Sequence, residues 1–314
     1  MASILNGKFW RDDMTSKAMG GTELLANRLV DNVNKKYLRD VEIHISRATK
    51  KDDTKKQLLW VHDLAEDPAV EHLKDRGWEQ YEMIVFVSHW QQQMYNKYLG
   101  VPFSKGVVIR NAIEPIEPKK VDDGKIKMIY TSTPHRGLNI LYPAFDALCS
   151  EFDNIELDVY SSFKLYGWEE RDEPFKNLFD ALEKHPKINY HGSKSNDEVR
   201  DAVAKADMFV YPSTWQETSC LCLIEAMSAG CLSLHSSLGA LPETSMSGTY
   251  MYQYSEDQNR HATVLYHNMK SLARALTDNP KDHFDSTNYR KPLVDTIHGI
   301  DRFKKSWESL LKGS

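Results

Sequence analysis

A chain of 314 residues is longer than a single hydrophobic core normally serves, which favours two domains of ordinary size. Hydrophobic residues at 41% and charged residues at 27% fit a soluble globular protein and exclude a disordered or fibrous one. Lysine and arginine total 40 against 45 aspartates and glutamates, and the net charge of −5 argues against a general nucleic-acid binder. No stretch approaches the run of about 20 apolar residues that spans a bilayer, and the opening MASILNGKFWRDDM is too polar for a secretory signal, so a cytoplasmic location is expected.

In chain order, apolar runs predict strands at 41–46, 57–62, 83–88, 106–111, 126–132, 155–161, 188–192, 208–212 and 231–235. Helical patterns lie between them at 22–38, 91–99, 138–151, 196–205 and 221–229. This alternation implies an α/β protein with parallel sheets covered by helices on both faces. The proline- and charge-rich stretch IEPIEPKKVDDGK (113–125) reads as a linker. The expected division is therefore 1–112, a linker at 113–125, 126–296, and a C-terminal helix at 297–314 packing back on the first domain. Open α/β sheets bind ligands beyond the carboxyl ends of their strands, so an interdomain cleft is the expected site. Cys149, Cys220, Cys222 and Cys231 include no Cys-x-x-Cys pair and read as buried packing residues, with His235 the one nearby candidate for a zinc site. Lysines at 35–40 and 48–56 are interspersed with acids and read as a solvated face rather than a membrane contact.

The most informative segment is FVYPSTWQETSCLCLIEAMSAGCLSL (209–234). It opens as a buried strand, passes a Pro-Ser loop and enters a helix near Ser219 that ends at Gly230. Glu225 falls on a helix face with Cys222, Ser228 and Ala229, small neighbours that leave room for a hydroxylated ligand. Glu217 lies just before the helix, and the amides of Ser219, Cys220 and Leu221 with the helix dipole suit an anion such as a phosphate. Two carboxylates beside an anion hole describe a site for a sugar phosphate.

The Glu-x7-Glu spacing of Glu217 and Glu225, within Pro-Ser-x-x-x-Glu and ahead of Glu-Ala-Met-Ser-Ala-Gly, resembles the signature of retaining glycosyltransferases of family 4 (glycosyltransferase group 1). Four further segments resemble that family in the expected order: MGGTELLANRLV (19–30), VHDLAEDP (61–68), IVFVSHWQQQMY (84–95) with VVIRNAI (107–113), and YTSTPHRGLNIL (130–141). The resemblance implies the GT-B fold, two facing Rossmann-like domains, over most of the chain from Met19 to about Pro242.

It also implies roles. Gly20 and Gly21 open a helix and let backbone approach the donor. His62 ends a strand beside Asp63, where the family histidine borders the transferred sugar and the acceptor. The phosphate-binding loop of the family carries two cations. This chain has Ser132 at the first of those positions and Arg136 at the second, so neutralisation of the leaving diphosphate rests on Arg136. Glu217 holds donor-sugar hydroxyls and Glu225 the ribose, with Thr218, Ser219, Cys220 and Leu221 lining the donor site. The segment YHGSKSNDEV (190–199), with Gly192, lines the base pocket.

The implied catalytic residues are Arg136, Glu217 and His62. The implied reaction moves a sugar from a nucleotide diphosphate, UDP favoured over GDP, to a glycan, lipid-linked or protein hydroxyl acceptor by front-face substitution. No Asp-x-Asp stands at a strand end, so neither a metal nor another cofactor is expected. A nucleotide-sugar 2-epimerase of the same fold, a non-catalytic carbohydrate-binding subunit and a glycosidase using Glu217 and Glu225 are the alternatives.

Overall fold

The computed structural model describes residues 2–11, 20–47 and 54–313. Its contacts divide the chain into one unit of Met1–Glu114 with Thr296–Ser314 and a second of Pro115–Asp295. Met19 and the lysine-containing stretch 48–53 lie outside the described residues.

The first unit begins with a hairpin, β1 (Ala2–Leu5) and β2 (Lys8–Arg11), turned by Asn6 and Gly7 at φ 53° and 68°. An Asn-Gly pair with both residues left-handed suits a two-residue turn that matches the twist of its strands. After helix α1 (Gly21–Asn32) come β3 (Val41–Ile45), β4 (Lys56–Trp60), β5 (Met83–Phe86), α2 (His89–Leu99) and β6 (Gly106–Val108). The sheet order is β2-β1-β3-β4-β5-β6. From β3 onward it is parallel, but β1 runs antiparallel to both β2 and β3. The expected parallel sheet thus carries one addition at its edge, an antiparallel hairpin whose turn reverses the chain. Helix α1 also stops short of the expected residue 38: the Asn34 side chain caps a separate 3-10 turn, Lys35–Leu38, by accepting from the Lys36 amide at 3.1 Å.

The C-terminal helix, Ile300–Gly313, belongs to this unit and buries Phe303, Trp307 and Leu311, one face at four-residue spacing. Trp307 packs edge-on against Trp60 of β4 with ring centres 5.0 Å apart. Both indoles are fully buried. Ile113 pairs with Gly299, and its amide donates to the His298 carbonyl at 2.8 Å.

The second unit is a parallel sheet of β7 (Ile126–Thr131), β8 (Ile155–Tyr160), β9 (Ile188–Tyr190), β10 (Met208–Tyr211), β11 (Leu232–Ser236) and β12 (Tyr250–Tyr252), in the order β12-β11-β10-β7-β8-β9. Its helices include α3 (Leu138–Leu148), α4 (Lys176–Lys184), α5 (Asn196–Lys205), α6 (Leu221–Ser228), α7 (Leu241–Ser245), α8 (Gln258–Asp278) and α9 (Pro280–Ile297). Strands β7 and β10 are neighbours at the centre of the sheet, which brings the two most informative loops of the sequence together. The stretch 115–125 is knitted into this unit rather than free: Ile116 is buried, its amide donates to Ser228 Oγ at 2.9 Å, and the Lys119 amide donates to the Ala204 carbonyl. Both units are Rossmann-like, and the architecture is that of the GT-B fold.

Candidate functional site

The site candidates of the second unit gather where β7, β8, β9 and β10 end. The chain leaves β7 through Ser132 and a short 3-10 turn, Pro134–Arg136, and enters α3 at Gly137. Gly137 has φ 104°, and a Cβ there would stand 2.0 Å from the Pro212 carbonyl oxygen. Only glycine allows this close crossing of the β7 and β10 loops. Thr214 completes the junction by donating to the His135 carbonyl at 2.9 Å.

Across that junction Arg136 Nη1 meets Glu217 Oε1 at 2.7 Å. Tyr211, the last residue of β10, donates its hydroxyl to the same oxygen at 2.6 Å and lies 3.5 Å from Ser132 Oγ. Burial alone would lower the basicity of Arg136, but Glu217 and Tyr211 outweigh it and keep the guanidinium charged. Burial, reinforced by Glu217, pushes the Tyr211 phenol far above the ordinary range, so it remains a proton donor. Arg136 Nε is buried without a partner among the described residues. The backbone of Glu217 is fixed by a bridge to Gly239, whose φ is 63° and where a Cβ would meet the Glu217 amide at 2.6 Å.

Glu225 lies on α6, but its surroundings differ from the open carboxylate expected. Arg200, on α5, places Nη1 2.9 Å from Glu225 Oε1. A capping box, in which Ser195 and Glu198 bond each other's backbone, fixes the start of α5 and with it the reach of Arg200. Helix α6 starts at Leu221, as the pattern at 221–229 predicts, with Cys220 rather than Ser219 as its cap. The first-turn amides are therefore those of Leu221, Cys222 and Leu223, and the Cys220 side chain does not cap them. Thr218 and Ser219 form the half-buried approach to this end. Gly192 follows β9 with φ 64°, and its carbonyl accepts from the Ser161 amide at 3.0 Å, which puts it at the end of β8.

The remaining candidates lie in the first unit. Gly20 caps α1 and Gly21 begins it. His62 follows β4, its amide donates to Ser46 Oγ at 3.2 Å, and burial lowers its pKa to about 3, so its ring is neutral near pH 7. His235 is held by the Ser236 carbonyl and Thr249 Oγ1, and Cys231 by the carbonyls of Val203 and Ala206, so these residues serve packing. Tyr211, Arg200, Gly137 and Gly239 were not singled out from sequence. Gly137, placed directly after Arg136 at a strand-to-helix turn, carried a local signal.

The family model for glycosyl transferases group 1 matches residues 109–278, more than half of the chain. The chain belongs to this family. A curated relative, the lipopolysaccharide 1,2-N-acetylglucosaminetransferase of Salmonella typhimurium, is 28% identical over 185 residues, which is 57% of this chain. The match spans 46% of that relative, under half of its length. Among solved structures, a glycosyltransferase from Rickettsia africae superposes with a TM-score of 0.67 at 15% identity, over 96% of this chain and 84% of that one. Anabaena HepE in complex with UDP-glucose superposes with a TM-score of 0.62 at 12% identity, over 83% and 73%. The matched family region contains every site residue of the second unit described above.

Proposed function

We propose that this chain is a retaining glycosyltransferase of family 4 that takes a sugar from a UDP-sugar and passes it to a glycan hydroxyl. The observation that carries this reading is the meeting of Arg136, Glu217 and Tyr211 at the carboxyl ends of β7 and β10, ahead of the α6 amides. A guanidinium and helix-start amides fit a diphosphate, and a fixed carboxylate fits sugar hydroxyls. UDP is favoured over GDP because solved structures of the same fold were determined with UDP-glucose and with UDP. A saccharide acceptor is favoured by the name of the Salmonella relative.

In this reading the glycosidic bond to the diphosphate lengthens first, and positive charge builds on the sugar as negative charge builds on the leaving phosphate. Arg136 and the amides of Leu221 and Cys222 stabilise that phosphate charge, the preorganised kind of stabilisation that contributes most to such reactions. Glu217 orients the sugar through its hydroxyls, and Glu225, held by Arg200, takes the ribose. The acceptor oxygen then attacks from the side the phosphate leaves, and the phosphate takes its proton, which preserves the anomeric configuration. His62, neutral near pH 7, is assigned to the acceptor side. No metal or other cofactor has a part in this scheme.

Two readouts test it. Saturating UDP should raise the melting temperature by mass action, and GDP should raise it less. Proton NMR of the product formed from UDP-glucose or UDP-N-acetylglucosamine should show an α anomer. A β product excludes retention, and no stabilisation by either nucleotide excludes the donor assignment.

A further inference from the structure

The guanidinium assigned to the diphosphate already has an anionic partner. Arg136 Nη1 contacts Glu217 Oε1 at 2.7 Å, and the Glu217 side chain is only 6% exposed. The hydroxyl of Tyr211 donates to that same Oε1 at 2.6 Å. Two donors thus converge on one carboxylate oxygen, while no hydrogen bond from a described residue reaches Oε2. An ion pair this buried is poorly screened, so Glu217 cancels much of the positive charge that Arg136 would offer an incoming anion. Ser132, 3.5 Å from the Tyr211 hydroxyl at the end of β7, offers a hydroxyl and no positive charge, so it cannot compensate.

On the reading of this site as a diphosphate site, we propose that Glu217 and the diphosphate compete for Arg136, and that Tyr211 is the positioning residue that holds Glu217 when Arg136 turns to phosphate. The carboxylate then has two roles. It orients the sugar through Oε2, and it weakens the hold of Arg136 on the nucleotide diphosphate left after transfer. Tyr211 is suited to its part because it ends β10 and is rigidly packed, with its ring stacked on Phe209 at 5.7 Å between centres. Its hydrogen bond survives the departure of Arg136, so the carboxylate keeps one anchor throughout. Exchange of the guanidinium between two anions needs only a side-chain rotation, because the Arg136 side chain is one quarter exposed.

The test is calorimetric binding of inorganic pyrophosphate and of UDP to the full chain and its variants. Glu217→Gln keeps the shape and the bond from Tyr211 but removes the charge, and it should tighten both ligands by about tenfold or more, the scale of one charged hydrogen bond. In an Arg136→Ala background the same substitution should give no gain, because nothing is left to release. Should Glu217→Gln fail to fold, Glu217→Asp, whose shorter stem withdraws the carboxylate from Arg136, should tighten binding in the same sense.

Tyr211→Phe should lower kcat about tenfold while UDP affinity stays within about threefold and the calorimetric binding stoichiometry stays at the wild-type value, whereas simple loss of folded protein would lower the stoichiometry along with the rate. Wild-type binding with no gain in Glu217→Gln, or a gain that persists without Arg136, would overturn the competition. A Tyr211→Phe variant with unchanged kcat would overturn the role of Tyr211. A wild-type chain that binds neither pyrophosphate nor UDP would remove the diphosphate site itself and the proposal with it.

Discussion

Arg200 on α5 and Glu225 on α6 form an ion pair, 2.9 Å between Nη1 and Oε1, with side chains only 15% and 10% exposed. Glu225 therefore serves the fold in addition to the ribose contact proposed for it. Glu225→Ala should cost about 3 kcal/mol of stability, since it leaves a poorly hydrated guanidinium without its carboxylate. It should also weaken UDP binding by about 1.5–3 kcal/mol through the lost ribose contact. Replacing Arg200 and Glu225 together by leucine separates the two effects. Urea denaturation should show most of the stability regained, and calorimetry should show UDP affinity still low.

Gly137→Ala should be far worse than its one added methyl suggests. The new Cβ would stand 2.0 Å from the Pro212 carbonyl, at a φ of 104°. A loss of about 3 kcal/mol or more is expected, together with displacement of Arg136. Gly124→Ala is the control: its φ is 77°, but nothing stands within 4 Å, and it should cost only about 1 kcal/mol. Equal melting temperatures for the two variants would refute the close-approach argument.

Arg136→Ala should lower kcat by about two orders of magnitude, the usual effect of removing one preorganised charge stabiliser. Arg136→Lys should recover part of it, because lysine keeps the charge but not the paired donors of a guanidinium. Steady-state kinetics that show a raised KM with wild-type kcat would mean that Arg136 contributes binding alone.

Transfer activity is expected to persist in EDTA at millimolar concentration. Turnover that stops and returns only with Mg²⁺ or Mn²⁺ would show that phosphate charge is neutralised by a metal rather than by Arg136 and the α6 amides.

Acid should destabilise the protein through its buried histidines. Burial lowers His62 to a pKa of about 3 and His135, His235, His261 and His298 to about 4, all from 6.5. Each folded value lies below the unfolded one, so the stability these groups contribute is complete above pH 6.5 and is lost as pH falls. Between its unfolded and folded values each deeply buried group costs up to about 1.4 kcal/mol per pH unit, and the half-buried His135, screened by solvent, costs less. Asp63 and Asp207, whose carboxyls burial raises, oppose this in more acidic solution. Differential scanning calorimetry should show Tm falling from pH 7 to pH 5, and a flat profile would refute it.

The strands and helices legible in the sequence were those with a local signature. The runs at β3 to β11 are apolar enough to stand out, and Glu217 and Glu225 share a segment whose strand, loop and helix follow one another directly. The partners of those carboxylates were not legible, because Arg136 is 81 residues from Glu217 and Arg200 is 25 from Glu225. Only the adjacency of β7 with β10 and of α5 with α6 makes them neighbours. The hairpin at Asn6 and Gly7 was missed for another reason. Its strands have four residues each, too few for an alternation to register, although the turn pair itself is a strong cue.

The first unit takes its last helix from the far end of the polypeptide, so it is assembled from two separated stretches with the whole second unit intervening. During synthesis the sheet of β1 to β6 leaves the ribosome first, yet Trp60 must wait for Trp307 to cover it. The second unit, continuous from Pro115 to Asp295, can complete its own sheet in the meantime. Of the two units, the one translated first is thus the one that completes its core last, and until then the Trp60 indole lacks one wall of its burial.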